Sequence, residues 1–216
     1  MTCSVCTPRA SGRPCNVTNE ASDYRNPVRK WSRKNSLSGL KLRSEMDARE
    51  ADVLRSLVGA VTGLLTERAS SGPDDELAAL TGLRIGNATP PDDPRLARLL
   101  PDFHRPESGS PDADRADLNS ALRSLHEPDI IDRKVAAGSV VLETLPARGG
   151  KILLTPEQAD AWLTALNDVR LALGTAIGID ADTPDRLHPD DPRAPHLDVY
   201  HWLTWMQDSL LSALAP

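Results

Sequence analysis

The chain has 216 residues, of which 39% are hydrophobic and 26% charged, but only 3% are aromatic. A core poor in rings must be built mainly from Leu, Val, Ile and Ala, which favours helices over a β-sandwich. No run of roughly 18 uncharged apolar residues is present, so no membrane-spanning helix is expected. The net charge of −6 is unevenly spread. Residues 1–45 hold nine Lys and Arg against three acids, a net +6, and the rest hold sixteen against twenty-eight, a net −12. A basic front on an acidic body implies two jobs in two regions. The acidic body is a poor match to duplex phosphate.

Residues 1–27 show no hydrophobic period and carry Pro8, Pro14 and Pro27 among Ser, Thr, Asn and Arg. They read as a disordered basic tail ahead of a regulator domain over 28–216. The tail has no apolar h-region of a secretory signal. A cytoplasmic location with reduced thiols is therefore expected, and three cysteines cannot close a disulfide framework. Trp31 and the alternation of Leu40 and Leu42 with Lys41 and Arg43 predict a β-hairpin over about 29–43.

Asp47 then caps a helix over about 48–68, with Glu50 in the capping-box position. Leu54, Leu57, Val58, Val61, Leu64 and Leu65 form its apolar stripe. A short helix is expected over DDELAALTG, then a loop, a turn or two of helix at DPRLARLLP, and a mobile loop over 104–113. A helix from Asp114 to Glu127 has Leu118, Ala121, Leu122 and Leu125 facing inward. Pro128 predicts a break, with a second helix over about 129–145.

Gly149-Gly150 turns the chain into a strand over Lys151–Leu154, which is expected to pair with the hairpin. Thr155 caps a helix over 156–177 with Pro156 at its first position. After a loop rich in Asp and Pro, a last helix spans about 196–214. The fold class is mainly α, bundle-like, with a small antiparallel sheet made of the hairpin and one strand.

Catalytic signatures are lacking: there is no G-x-S-x-G, P-loop, G-x-G-x-x-G or H-E-x-x-H. No enzyme activity, cofactor or small-molecule substrate is expected. Cys3, Cys6 and Cys15 supply at most three of the four ligands that a structural zinc needs, so no metal is expected either. Arg170 shares a helix face with Leu163, Leu166, Leu173 and Ile177. It reads first as a helix–helix clamp, paired with an acid such as Asp198 or Asp208. Contact with a partner protein is the alternative.

Trp202 and Trp205 lie one turn apart. They read as core, with an interface anchor as the second reading. Arg29, Lys30, Arg33 and Lys34 form a basic patch. The C-x-x-C of Cys3 and Cys6 lacks the following helix that activates a thioredoxin-type thiol. Residue chemistry alone reads these cysteines first as incidental. An oxidant-sensing pair, with Cys15 as a competing resolving thiol, is the alternative.

Longer stretches add a resemblance. LLPDFHRP at 99–106, LNSALRSLHEPDIIDRK at 118–134, LTPEQADAWLTALNDVRLALGT at 154–175 and HLDVYHWLTWMQDSLL at 196–211 resemble the actinobacterial family of AosR-type oxidative stress regulators. That family was long described as a domain of unknown function. The resemblance, which runs from about Val28 to the C-terminus, implies a cytoplasmic transcription regulator. It implies an intramolecular disulfide formed under oxidation and engagement of a stress-type extracytoplasmic-function sigma factor with RNA polymerase. The implied output is cysteine-biosynthesis and redox-homeostasis genes. The family pair is a C-x-x-x-C, whereas here it is C-x-x-C, so Cys6–Cys15 and Cys3–Cys15 stay open beside Cys3–Cys6. The acidic body with its Trp-bearing helix would face a basic region of the partner. The basic patch would touch DNA phosphate within the complex. The rival class is a helical scaffold without redox sensing.

Overall fold

The computed structural model describes residues 29–36, 39–72, 85–104 and 112–215. The expected tail with its three cysteines, the helix over DDELAALTG and most of the 104–113 loop lie outside the described residues. Three strands, β1 (Arg29–Ser36), β2 (Gly39–Met46) and β3 (Gly150–Leu154), form one antiparallel sheet in that order. The described helices are α1 (Ala48–Ser70), α2 (Pro94–Leu99), α3 (Asp112–Thr144), α4 (Pro156–Ala176) and α5 (Ala194–Leu214). The mainly helical class with a small antiparallel sheet is therefore the observed one. The hairpin runs three residues further than the sequence predicts, to Met46.

Local signals set the helix starts. The Asp47 carboxylate accepts from the Glu50 amide at 2.8 Å, and the Glu50 carboxylate accepts from the Asp47 amide at 2.8 Å. Thr155 and Gln158 make the same reciprocal pair at the start of α4. Each such box satisfies two amides that the first helical turn leaves without partners. The α1 stripe is as expected: Leu54, Val58, Val61 and Leu65 are buried, with Leu57 and Leu64 packed beside them.

The sheet lays one face on the helices. Leu42, Ser44 and Met46 of β2 alternate inward and oppose Leu154, Ile152 and Gly150. In β1 the register slips between Arg29 and Ser32, the mark of a β-bulge. Trp31 sits in this bulge and is 3% exposed. Its amide donates across to the Ser209 hydroxyl on α5 at 2.9 Å, and the Ser44 hydroxyl donates to the Arg29 carbonyl. Ser209 is thus a polar residue on a buried helix face because the bulge needs an acceptor there. At the entry to β3, Gly149 has φ 72°, and a Cβ there would lie 2.5 Å from the Asp47 carbonyl carbon. Only glycine lets this turn rest on the α1 cap.

Two expectations are corrected. Pro128 does not break the helix; α3 runs unbroken over 33 residues with Pro128 inside. Proline lacks the amide that would bond the carbonyl four residues back, which here belongs to Ser124. The Gly86 amide donates to that carbonyl instead, at 2.7 Å. The approach is so close that a Cβ on Gly86 would fall 2.6 Å from the Pro128 ring. The break is repaired by a residue 42 positions away, which no local rule sees.

The second correction concerns the face of α3. Leu118 and Leu125 are 44% and 54% exposed, Ala121 is exposed and Leu122 half-buried. The residues that turn inward in this half are Arg123 and Glu127, at 2% and 1% exposure. Their charges are matched, as a buried ion requires. Arg123 donates to Glu127 at 2.6 Å, to Asp102 at 2.8 Å and to the Leu100 carbonyl at 3.0 Å. Arg68 of α1 donates to the other Glu127 oxygen at 2.7 Å.

Candidate interaction surfaces

Arg170 on α4 is part of a helix–helix clamp, but not with an acid. Its guanidinium donates to the Gln207 side-chain oxygen on α5 at 2.6 Å and lies 5.3 Å from the Tyr200 ring centroid. Asp198 and Asp208, the acids expected as partners, are exposed on the solvent side of α5. Tyr200 and Gln207 are seven residues apart and so share the face that meets α4. A neutral amide and a ring face hold the charge without neutralising it. Gly174 lets the ring in: a Cβ there would stand 3.3 Å from Tyr200.

The two tryptophans of α5 part company. Trp202 is half-buried, with its indole nitrogen buried and without a hydrogen-bond partner, whereas Trp205 is 40% exposed. Trp205 is thus the ring available for contact. The core aromatic pair lies elsewhere: Trp31 meets Trp162 edge-to-face at 5.5 Å.

The basic patch is rearranged by the strand register. Directly opposed residues in an antiparallel pair point to the same face. Arg33 opposes the buried Leu42, so it leans to the inner rim, where it donates to the Ala215 carbonyl at 2.6 Å. Lys30 is exposed beside the bulge. Arg29 pairs with Glu45 at 3.4 Å. Lys34 opposes Lys41, Ser32 opposes Arg43, Arg43 opposes Leu153, and Glu45 opposes Lys151. These define an outer face with Arg29, Lys34, Lys41, Arg43 and Lys151. Lys151 reaches it from more than a hundred residues away. Its only sequence signal is its place outside the inward pair Ile152 and Leu154.

One buried pair ties α3 to α4. Lys134 donates to an Asp168 oxygen at 2.6 Å, and the second oxygen is buried with no hydrogen-bond partner. Burial pushes the Asp168 carboxyl above its ordinary 3.8, and the Lys134 hydrogen bond and charge only partly oppose this. With a folded pKa above the unfolded one, the stabilising contribution is full below pH 3.8 and is lost as pH rises through the folded value. Asp168→Asn is therefore expected to flatten the fall in unfolding free energy that begins above pH 3.8 and ends once pH has passed the raised folded value, read by urea titrations at stepped pH from 3.8 upward. An unchanged pH profile would remove Asp168 as the group responsible.

Among the described residues no group of three or more His, Cys, Asp or Glu is arranged to hold a metal ion, and no helix is long and apolar enough to cross a membrane. The family described as a domain of unknown function, DUF2017, matches residues 28–214. The chain belongs to this family. It is 46% identical to a putative oxidative stress regulator AosR of Mycobacterium leprae (strain TN), over 96% of this chain and 98% of the relative. It is 45% identical to the oxidative stress regulator AosR of Mycobacterium tuberculosis (strain ATCC 25618 / H37Rv) and of Mycobacterium bovis (strain ATCC BAA-935 / AF2122/97), each over 96% of this chain and 98% of the relative. At 96% of 216 residues these matches take in most of the segment ahead of Val28, beyond the DUF2017 span. No solved structure matches.

Proposed function

We propose that this chain is a redox-responsive transcription regulator that reads oxidants through its leading cysteines and acts on a stress-type sigma factor. The observation that carries this reading is its 45–46% identity, over nearly its whole length, to chains named oxidative stress regulators. The thiol chemistry needs only a peroxide. One thiolate, on Cys3, Cys6 or Cys15, attacks the peroxide, is oxidised to a sulfenic acid and releases hydroxide. A second thiol displaces water from that sulfur and forms the disulfide. The two electrons go to the peroxide.

Closing the loop removes conformational entropy before binding, so docking of the oxidised segment costs less. Trp205, 40% exposed on α5 one turn after the half-buried Trp202, offers an aromatic anchor of the kind enriched at interface hot spots. The acidic body suits a basic region of the sigma factor or polymerase. The output in this reading is transcription of cysteine-biosynthesis and redox-homeostasis genes, with a site of action in the cytoplasm.

The test is non-reducing peptide mapping after mild peroxide, on the full chain and on Cys3→Ser, Cys6→Ser and Cys15→Ser. Sigma-factor capture in both redox states accompanies it. The expected result is one dominant disulfide, lost in two of the three variants, and stronger capture when oxidised. Free thiols at all three positions, or equal capture in both states, would refute the switch.

A further inference from the structure

We propose that the outer face of the three-stranded sheet is a sequence-independent binding surface for duplex nucleic-acid phosphate. This goes beyond the redox reading and does not depend on it, because the face contains no cysteine and no residue of α5.

The face has three cross-strand rows. Lys34 and Lys41 form the first, Ser32, Arg43 and Leu153 the second, and Arg29, Glu45 and Lys151 the third. Among the described residues only Arg29 of its five cations is in a side-chain ion pair, with Glu45. Glu157 is a further carboxylate near Lys41, held below its ordinary range first by the Thr155 hydroxyl and, last and least, by the charge of Lys41. Four cations, Lys34, Lys41, Arg43 and Lys151, therefore stand with little compensation. Lys34 directly opposite Lys41 is a like-charge pair that costs the sheet stability. A polyanion laid across the face relieves that cost.

Charge density selects the partner. Strands ~4.8 Å apart and rows ~7 Å apart spread the cations over roughly 10 by 14 Å. An extended acidic peptide turns one carboxylate toward the face every ~7 Å, two or three in all, fewer than the cations present. A duplex presents one charge per ~1.7 Å of axis and saturates the patch. The face carries no aromatic side chain, so it has no platform for stacking the bases of a single strand. It also presents no helix to enter a groove, so it contacts backbone and reads no sequence. The net −12 of residues 46–216 does not forbid this. At ~0.1 M salt, charges more than about 10 Å away are largely screened, and the local face decides.

The experiment is fluorescence anisotropy of a labelled duplex of arbitrary sequence. It uses the full-length chain under reducing conditions and without any sigma factor, from ~50 to ~200 mM salt. Affinity is expected to fall with a log–log slope of about −3.6, corresponding to four phosphate contacts. Lys34→Ala should reduce that slope by about one. The double variant Lys41→Glu, Lys151→Glu should bind at least tenfold more weakly. Its thermal melt should stay close to that of the parent, because both side chains point outward. Arg186→Glu, which reverses one exposed cation in the loop between α4 and α5, is the control for a charge change away from the sheet and should bind like the parent.

No duplex binding by the parent chain, or an equal loss in Arg186→Glu, would overturn the proposal and leave a merely solvated face. Labelled polyglutamate binding as tightly as the duplex would overturn it in favour of an acidic protein partner. Failure of the redox reading would show in the cysteine variants and leave all of these values unmoved.

Discussion

Arg123→Met is expected to lower the melting temperature by roughly 6–12 °C. Breaking a buried ion pair costs about 3 kcal/mol or more, and each kcal/mol is worth about 2–4 °C in a domain of this size. The Arg123 side chain is 2% exposed and so is that of Glu127, its partner one turn along α3. Without Arg123, Glu127 keeps only Arg68, whose side chain is 10% exposed. The Leu100 carbonyl, which Arg123 also caps, loses that donor. Three chain segments meet at this one group: α1 through Arg68, the stretch after α2 through Leu100 and Asp102, and α3.

The loss is specific to an orphaned charge, and a second substitution reveals this. Arg123→Met with Glu127→Gln should recover part of the lost stability, since the neutral amide leaves no unpaired buried carboxylate while its oxygen still accepts from Arg68. Differential scanning calorimetry of the two single variants and the double measures the coupling. A double variant as unstable as the sum of the singles would show that packing alone is at stake.

The second large effect is expected at Trp162, where Trp162→Ala should cost about 3–5 kcal/mol. The side chain is fully buried and joins three layers. Its ring meets Trp31 of the sheet at 5.5 Å and 76°, and its indole nitrogen donates to the Thr144 hydroxyl at the end of α3 at 2.8 Å. Trp162→Phe keeps most of the buried area and removes that hydrogen bond, a loss of about 1 kcal/mol. Near-ultraviolet circular dichroism reports the Trp31–Trp162 pair directly, and its signal should vanish in Trp162→Ala and shrink in Trp162→Phe. Because Trp31 holds the bulge of β1, the alanine variant should also loosen the outer sheet face and weaken duplex binding. A melt within about 1 kcal/mol of the parent would mean that the site refills, as cores sometimes do.

Several features of the fold were legible in the residues themselves. The boxes of Asp47 with Glu50 and of Thr155 with its partner three residues on depend on groups within one turn of helix, and so does the stripe from Leu54 to Leu65. The alternation of Leu40 and Leu42 with Lys41 and Arg43 likewise predicts an apolar and a basic face. Such signals are short-range, so one sequence is enough to read them.

The misreadings share the opposite cause. Leu118 and Leu125 looked inward because leucine usually is, but Arg123 and Glu127 can be buried once Arg68, Leu100 and Asp102 arrive to satisfy them. Pro128 looked like a stop because its partner, Gly86, is supplied by a distant loop. Arg170 was legible as a clamp, while its partners Gln207 and Tyr200 depended on how α5 is rotated against α4.

What the sequence by itself determined is the mainly helical class, the caps, the hairpin, the separation of a basic front from an acidic body, and membership of a regulator-bearing family. Only the tertiary structure decided which charges stand together. Strand pairing left Arg33 off the basic face and brought Lys151 onto it, because side chains alternate between the two faces along each strand and only the register of neighbouring strands decides which distant residues share one.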